Sequence, residues 1–454
     1  MSSASTASAP HRLFDDRPMT RRQIFTILLI ISIAVLDGYD LGSMSFVVPV
    51  LSKEWGIGKA ALGILLASGL VGMAVGSLGL SPFADKVGRK PIILICLVVV
   101  TVGSLACGLS ESMTQLMLSR AFTGIGMGAL ISLLATMNAE VANARNRSFA
   151  VASTAIGLPL GGALGGLVSA AVLSSHDWHW VFLIGSIAGA VMTLAAAVFL
   201  PESPAFLISR RPQNALERLN RVLRQLGHPA VAELPPAQKQ EGLSYRVLFS
   251  PSRAPDTIRF IAVNVLMVTA GYYIINWLPQ IITTLGFTAS TASLVSSITS
   301  LIGVTAPLIF GALTTRFSTL KMAAFVMCGF GAALVGIGFV PPILWMFVVA
   351  ACSASFFLSG SAAMLQASMV ATFPPNMRVS AIGFILGIGR VASGLGPYLA
   401  GLMFAAGMTR GTVSLSFAVL AVIAGVLVSR RRSTPESAPA GSPPAPSTPA
   451  SNAA

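Results

Sequence analysis

Asp37 and Asp40 interrupt a long apolar stretch, in the run Leu36-Asp37-Gly38-Tyr39-Asp40. That stretch runs from about Gln23 to Val48, long enough to span a bilayer as a helix. An acid near the bilayer centre costs about 2.5–3.5 kcal/mol on insertion scales, so a pair of them is kept for a partner or a task. Three residues apart on a helix, two carboxylates lie on one face, where they can share a proton, a cation or an arginine. One reading is a proton or ion relay; the other is a buried structural ion pair.

Two arginines also fall inside apolar stretches, Arg120 ahead of Gly124, Gly126 and Gly128, and Arg390 just after Gly387 and Gly389. A guanidinium is a planar bidentate fork that suits a carboxylate ligand. Counting about 1.5 Å per residue puts Arg120 at the depth of Asp40, so a permanent bridge to Asp37 or Asp40 is its competing role. The later apolar stretches hold no acid for Arg390, so an external anion is its expected partner. Asn264, Tyr272, Tyr273, Asn276 and Trp277 form a patch unusually polar and aromatic for this chain. They are either an interfacial belt or an aromatic wall with amide donors for a ring-bearing ligand. The candidate binding set is therefore Arg120, Arg390, Tyr272, Tyr273, Asn276 and Trp277, with Asp37 and Asp40 as the titrating pair. Glu140, with Arg145 and Arg147 just beyond, reads as a loop charge lattice, and the cluster from His176 to Trp180 as an interfacial anchor rather than a zinc site.

The elements that must position these groups follow from composition. The chain has 454 residues, 54% hydrophobic and only 10% charged, too apolar for a soluble enzyme. Its apolar residues come in twelve blocks, at about 23–48, 60–80, 91–110, 115–139, 148–172, 179–200, 258–284, 290–313, 322–340, 343–370, 379–403 and 412–429. Backbone groups must be satisfied internally in lipid, and the alternation of a barrel is missing. The expected class is an all-α membrane protein of twelve transmembrane helices.

A net charge of +14 invites a nucleic-acid reading, which its placement opposes. Basic residues crowd into alternate loops: Arg12 to Arg22, Lys86 to Lys90, Arg145 and Arg147, Arg210 to Arg259, Arg316 and Lys321, Arg378, and Arg430 to Arg432. The other side carries only Lys53, Lys59 and Arg410. This bias puts both termini in the cytoplasm. The four cysteines all lie in apolar blocks and match no disulfide or metal pattern. The glycine-rich stretches follow no strand, so they permit close helix contact instead of cradling phosphate, and no P-loop is present. Neither metal nor organic cofactor is expected.

Six blocks, a hydrophilic centre and six more suggest duplication. Pro49, expected to end the first span, and Gly56 recur at one offset as Pro279 and Gly286. The layout is a segment 1–22, a six-helix half 23–200, a linker 201–257, a second half 258–429 and a disordered tail 430–454. Ala215, Leu216, Leu219, Val222, Leu223 and Leu226, interleaved with arginines, predict an amphipathic helix lying on the cytoplasmic leaflet. At the repeat offset Asp37, Asp40 and Arg120 face Met267, Ala270 and Ala350, so the charges belong to one half alone.

The loop Asp85-Lys86-Val87-Gly88-Arg89-Lys90 resembles the signature of the major facilitator superfamily, and the resemblance covers about 20–430. Asp37-Gly38-Tyr39-Asp40 narrows it to the aromatic acid:proton symporter family, which Arg120 with its glycines, Pro201-Glu202-Ser203-Pro204 and Gly387-Ile388-Gly389-Arg390 also resemble. The resemblance implies that Asp37 and Asp40 are needed for transport, that Arg120 belongs to the functional core, and that Asp85, Gly88, Arg89 and Lys90 form a gating loop. Two departures stand out. Ser81 replaces the usual first glycine, and the second copy keeps Gly311 and Arg316 but has Thr315 for aspartate and Ser318 for glycine. The expected protein is a monomeric secondary transporter of a bacterial inner membrane, importing an aromatic carboxylate of the benzoate or hydroxybenzoate class with protons. Its rivals are a proton-coupled exporter of amphipathic drugs and a non-transporting sensor for aromatic acids. A topology reporter fused after Arg224 should report the cytoplasm and one at Ser174 the exterior; the reverse pattern would overturn the charge reading.

Overall fold

The computed structural model describes residues 14–15, 18–236, 245–251, 253–314, 316–374 and 377–430. The expected tail from 431 onward and the second-copy position Thr315 lie outside them. Among the described residues sixteen α-helices follow one another: α1 Arg21–Glu54, α2 Lys59–Gly79, α3 Ser81–Val87, α4 Arg89–Gly108, α5 Met113–Val141, α6 Arg147–Val172, α7 His179–Phe199, α8 Pro204–Arg210, α9 Ala215–Gln225, α10 Ala254–Thr284, α11 Ala289–Leu313, α12 Thr319–Phe339, α13 Leu344–Thr372, α14 Arg378–Ala392, α15 Leu395–Ala405 and α16 Arg410–Ser429. Among the described residues there are 12 helical stretches long and apolar enough to cross a membrane, with α2–α3 and α14–α15 each making one. Side-chain oxygens start several of them: Thr20 on α1, Ser112 on α5, Thr288 on α11 and Thr409 on α16 each accept from a backbone N–H of the first turn.

Two breaks differ from the sequence expectation. Pro49 lies inside α1 instead of ending it, while Pro279 lies inside α10 near its end, because neighbouring helices hold a membrane helix together through a missing backbone bond. The block at 379–403 is interrupted between Ala392 and Leu395. Pro397 has no N–H to offer the carbonyl one turn back, at Ser393, and the Ser393 hydroxyl and N–H both turn to the Arg390 carbonyl. Arg390 thereby ends up in the last turn of α14, at the negative end of its dipole.

Within the first half α1 packs on α6 and α2 on α5; within the second, α12 packs on α16 and α11 on α13. Glycine sets the approach. A Cβ on Gly72 or Gly76 of α2 would lie 2.1 or 1.9 Å from the carbonyl oxygens of Ala121 or Ile125 on α5. Only backbones stripped of side chains come so close.

The halves meet on the side away from the chain ends, here called the far side. Beyond Asp40, Met44, Val47 and Leu51 of α1 and Leu62 and Leu65 of α2 join the apolar core of the second half. Before it, Ile30, Ile33 and Leu36 belong to a separate first-half core. On the far side a Cβ on Gly63 of α2 would lie 2.9 Å from the Gly401 Cα on α15. The Ser290 hydroxyl donates to the Ala170 carbonyl at 2.8 Å, tying α11 to α6.

Helix α9 corrects the expectation that it lies on the leaflet. Leu219, Val222, Leu223 and Leu226 are buried in a protein core with Phe14, Ile27, Val141, Ala150, Phe206 and Leu207. The Arg22 guanidinium donates to the Arg224 carbonyl at 2.9 Å. Periodicity identifies an apolar face but not what covers it, and here the terminal side of the first half does. Trp178, expected as an interfacial anchor, is also buried, donating to Glu54 at 3.0 Å and packing edge-on against Trp55.

Glycine packing makes a direct prediction. Gly76→Val should destabilise the purified protein by about 1–3 kcal/mol through overpacking. Gly79→Val, where an added Cβ meets nothing within 4 Å, should melt like the parent; equal melting of the two variants would refute the close contact.

Candidate functional site

Asp37 and Asp40 sit midway along α1, 1% and 2% exposed, and the residues between them fix their aim. A Cβ on Gly38 would lie 2.1 Å from the Leu158 carbonyl oxygen of α6, so glycine lets α1 lie directly against that helix. The Tyr39 hydroxyl donates to the Val181 carbonyl of α7 at 2.7 Å. With α1 held on two sides, the acids turn to the remaining ones.

Asp40 meets Arg120. The guanidinium reaches its carboxylate at 3.0 Å and its backbone carbonyl at 3.2 Å, with both side chains under 5% exposed. The second carboxylate oxygen of Asp40 and the Arg120 Nε make no hydrogen bond among the described residues. Neither oxygen of Asp37 makes one. Thus of the two partners open to Arg120 in the sequence, the structure selects Asp40, and Asp37 is left without one.

The charge that acts on Asp37 from across the interface is Arg390, which also acts on Tyr272. Among the described residues the Arg390 side chain makes no ion pair. Its helix is held in place by Asn264, whose amide donates to the Ile385 carbonyl at 2.8 Å, and whose side chain occupies the space a Cβ on Gly389 would need. Tyr272 packs against the first-half core. Asp37, Arg390 and Tyr272 therefore form one electrostatic group spanning both halves.

The other candidates separate. The Tyr273 hydroxyl pairs with Ser414 at 2.9 Å and its ring stacks on Phe417 at 4.2 Å. The Trp277 indole donates to the Pro397 carbonyl at 3.0 Å and packs on Phe404. Both are fully buried inside the second half, holding α10 to α16 and α15. Helical spacing explains this: Tyr272 and Tyr273 are neighbours in sequence and so face different directions. Asn276 does reach the interface. It accepts from Ser45 at 3.3 Å and lines a void of about 10 Å³ with Arg120, Met44, Met73 and Met127.

The main cavity between the halves has a volume of about 170 Å³. Phe46, Leu41, Leu158, Pro159, Ile274 and Leu278 supply its apolar wall. Ser45, Ser296, Thr299, Ser300, Ser355 and Ser359 supply hydroxyls. A cavity of about 150 Å³ suffices for benzene, so this one is ring-sized. Gly38 and Leu41, close to Asp37 on α1, line it. Sequence reading passed over these serines, because a serine in a membrane helix ordinarily bonds its own helix and carries no signal.

The expected gating loop is part of a first-half network. Gly88 adopts φ 118° between α3 and α4, and a Cβ there would collide with the Glu202 carboxylate. Glu202 accepts from the Arg89 and Lys90 backbone N–H groups at 2.9 and 3.1 Å, capping α4. The Arg89 guanidinium binds Glu140 at 2.9 Å, and Ser203 donates to Glu140 as well. The Lys90 ammonium donates to the Ala197 carbonyl. Asp85 is exposed, its carboxylate 3.7 Å from Arg89. Glu140 is thus part of a charge lattice, as its position suggested, although its partners are Arg89 and Ser203 and not Arg145 or Arg147.

Removing one member of the buried pair strands the other. Asp40→Asn should cost about 3–5 kcal/mol of stability, most of it recovered on adding Arg120→Gln, while Asp37→Asn should cost little. Thermal melting of the four proteins checks this; an Asp40→Asn protein as stable as its parent would contradict the pairing.

With this geometry in place, the likenesses to known proteins are specific. The family model of the Major Facilitator Superfamily matches residues 30–343 and 260–453. The gallate transporter of Pseudomonas putida is 28% identical over 87% of this chain and 88% of its own length. The 4-hydroxybenzoate transporter of the same species is 28% identical over 91% and 94%. The benzoate transport protein of Acinetobacter baylyi is 27% identical over 93% of each. Among solved structures, a D-xylose–proton symporter superimposes with a TM-score of 0.70 at 17% identity, covering 89% of this chain and 97% of the symporter. A bacterial homologue of the human lysosomal transporter Spinster gives 0.71 at 15%, covering 90% and 97%. Those two likenesses speak to the fold alone. Matched by the family model along nearly its whole length, and built as two six-helix halves around a charged interface, the chain belongs to the major facilitator superfamily of membrane transporters.

Proposed function

We propose that the protein imports an aromatic carboxylate of the benzoate or hydroxybenzoate class together with protons across the bacterial inner membrane, with both termini in the cytoplasm and acting as a monomer. The observation that carries this reading is Asp37, a buried carboxylate with no hydrogen-bond partner among the described residues, under the charge of Arg390 across the interface. An ionised carboxylate in apolar surroundings is costly unless paired. Asp37 must therefore hold either a proton or the attention of a cation.

Coupling follows from competition for that cation. A substrate carboxylate that docks on the Arg390 fork draws the guanidinium's field away from Asp37. Asp37 then takes up a proton, so substrate and proton load together. On release, Arg390 again serves Asp37 and the proton leaves. Asp40 keeps Arg120 throughout and holds α1 against α5. The aromatic relatives, carriers by name of gallate, 4-hydroxybenzoate and benzoate, support a ring-bearing anion, and the ring-sized cavity supplies the space. With basic loops inside, the closed far side faces the exterior, and the halves part toward the cytoplasm.

Uptake into proteoliposomes of labelled 4-hydroxybenzoate, benzoate and gallate tests this. Accumulation should require an inward proton gradient and collapse with a protonophore. Asp37→Asn should abolish accumulation and leave exchange of internal for external substrate. The stability-restored pair Asp40→Asn with Arg120→Gln should still differ from Asp37→Asn by binding substrate with ordinary pH dependence. Gradient-independent accumulation, or exit of dyes with no uptake of aromatic acids, would overturn the reading.

A further inference from the structure

Two hydroxyls in the main cavity are unlike the rest. Ser296, Thr299 and Ser300 on α11 each donate to a carbonyl of their own helix, and Ser45 donates to Asn276. Ser353 and Ser361 on α13 do the same within their helix, at 2.8 and 2.7 Å. Ser355 and Ser359, one turn apart on the cavity face of α13, make no hydrogen bond among the described residues. Neither is cut off in the protein interior. The space in front of them is kept by Gly303 of α11: a Cβ there would lie 2.8 Å from the Ser359 Oγ and 2.9 Å from the Ser355 Oγ. A serine hydroxyl both donates and accepts, so two of them one turn apart can receive an O–H on an incoming molecule in either sense.

We infer that Ser355 and Ser359, with Gly303 as the clearance between them, form the subsite that reads a hydroxyl substituent on the substrate ring. This rests on the aromatic-carboxylate reading above and adds an orientation to it. The carboxylate points to the Asp37–Arg390 side, the ring lies against Phe46, Leu41 and Ile274, and the phenolic O–H points to α13. The cavity's other hydroxyls, on Ser45, Ser296, Thr299 and Ser300, already donate within the protein, so a ring substituent that can hydrogen-bond has Ser355 and Ser359 as its unclaimed partners. An unsubstituted ring leaves them unserved.

The test is equilibrium binding of benzoate and 4-hydroxybenzoate to purified full-length protein in lipid nanodiscs. The parent should bind 4-hydroxybenzoate about tenfold more tightly than benzoate, the equivalent of one to two net hydrogen bonds. Ser355→Ala combined with Ser359→Ala should bring that ratio close to one by weakening 4-hydroxybenzoate alone. Gly303→Ala should collapse the ratio by a different route, since the added methyl turns both hydroxyls aside. Ser353→Ala, on the same helix but bonded to its own backbone, should leave the ratio as it is. A ratio near one in the parent, or an unchanged ratio in both the double variant and Gly303→Ala while benzoate still binds, overturns the subsite and leaves the transport reading standing. Failure of the parent to bind either acid overturns both.

Discussion

Two carboxylates are buried on α1, and among the described residues one guanidinium, that of Arg120, bonds to them. Low dielectric makes this shortage matter, since each unpaired charge costs far more inside the protein than in water. Arg120 settles on Asp40, reaching both its carboxylate and its backbone carbonyl. That bridge holds α1 to α5 whatever the other half does. Asp37 makes no hydrogen bond among the described residues and feels the charge of Arg390 on α14 across the interface. On the proposed reading, one acid belongs to the scaffold and the other to the moving joint.

Everything around α1 serves to keep that division. Gly38 admits the backbone of α6, and Tyr39 fastens to α7, so α1 cannot rotate to offer Asp37 to Arg120. In the second half Asn264 grips α14 and Pro397 breaks it from α15. These place Arg390 on a helix end whose carbonyls favour a cation. The short run Asp37-Gly38-Tyr39-Asp40 thus contains two charges and the two fasteners that aim them.

Much of this was legible in the sequence. Blocks of spanning length gave the helices, the clustering of Lys and Arg gave the sidedness expected of them, and charge inside apolar blocks pointed to Asp37, Asp40, Arg120 and Arg390. What escaped was direction. Tyr272 and Tyr273 looked alike as aromatic neighbours, yet one faces the first half and the other fills the second. The stripe of α9 was recognised, but its cover of protein instead of lipid depends on chain far away in sequence. The cavity serines were invisible because their type is common in membrane helices and their meaning comes only from which hydroxyls lack a helical carbonyl.

The docking of α9 has a mechanical corollary. The linker is pinned to the first half through Val231, which bonds Asn220 in both directions, and on to Pro235, whose carbonyl accepts from Arg211 at 3.0 Å. It belongs to the second half again by Leu248, whose carbonyl accepts from Thr257. Each half thus carries its own end of the linker, and on the proposed reading the balance between open and closed arrangements falls to the interface itself, to the far-side glycine contacts and to whichever ion Asp37 and Arg390 hold.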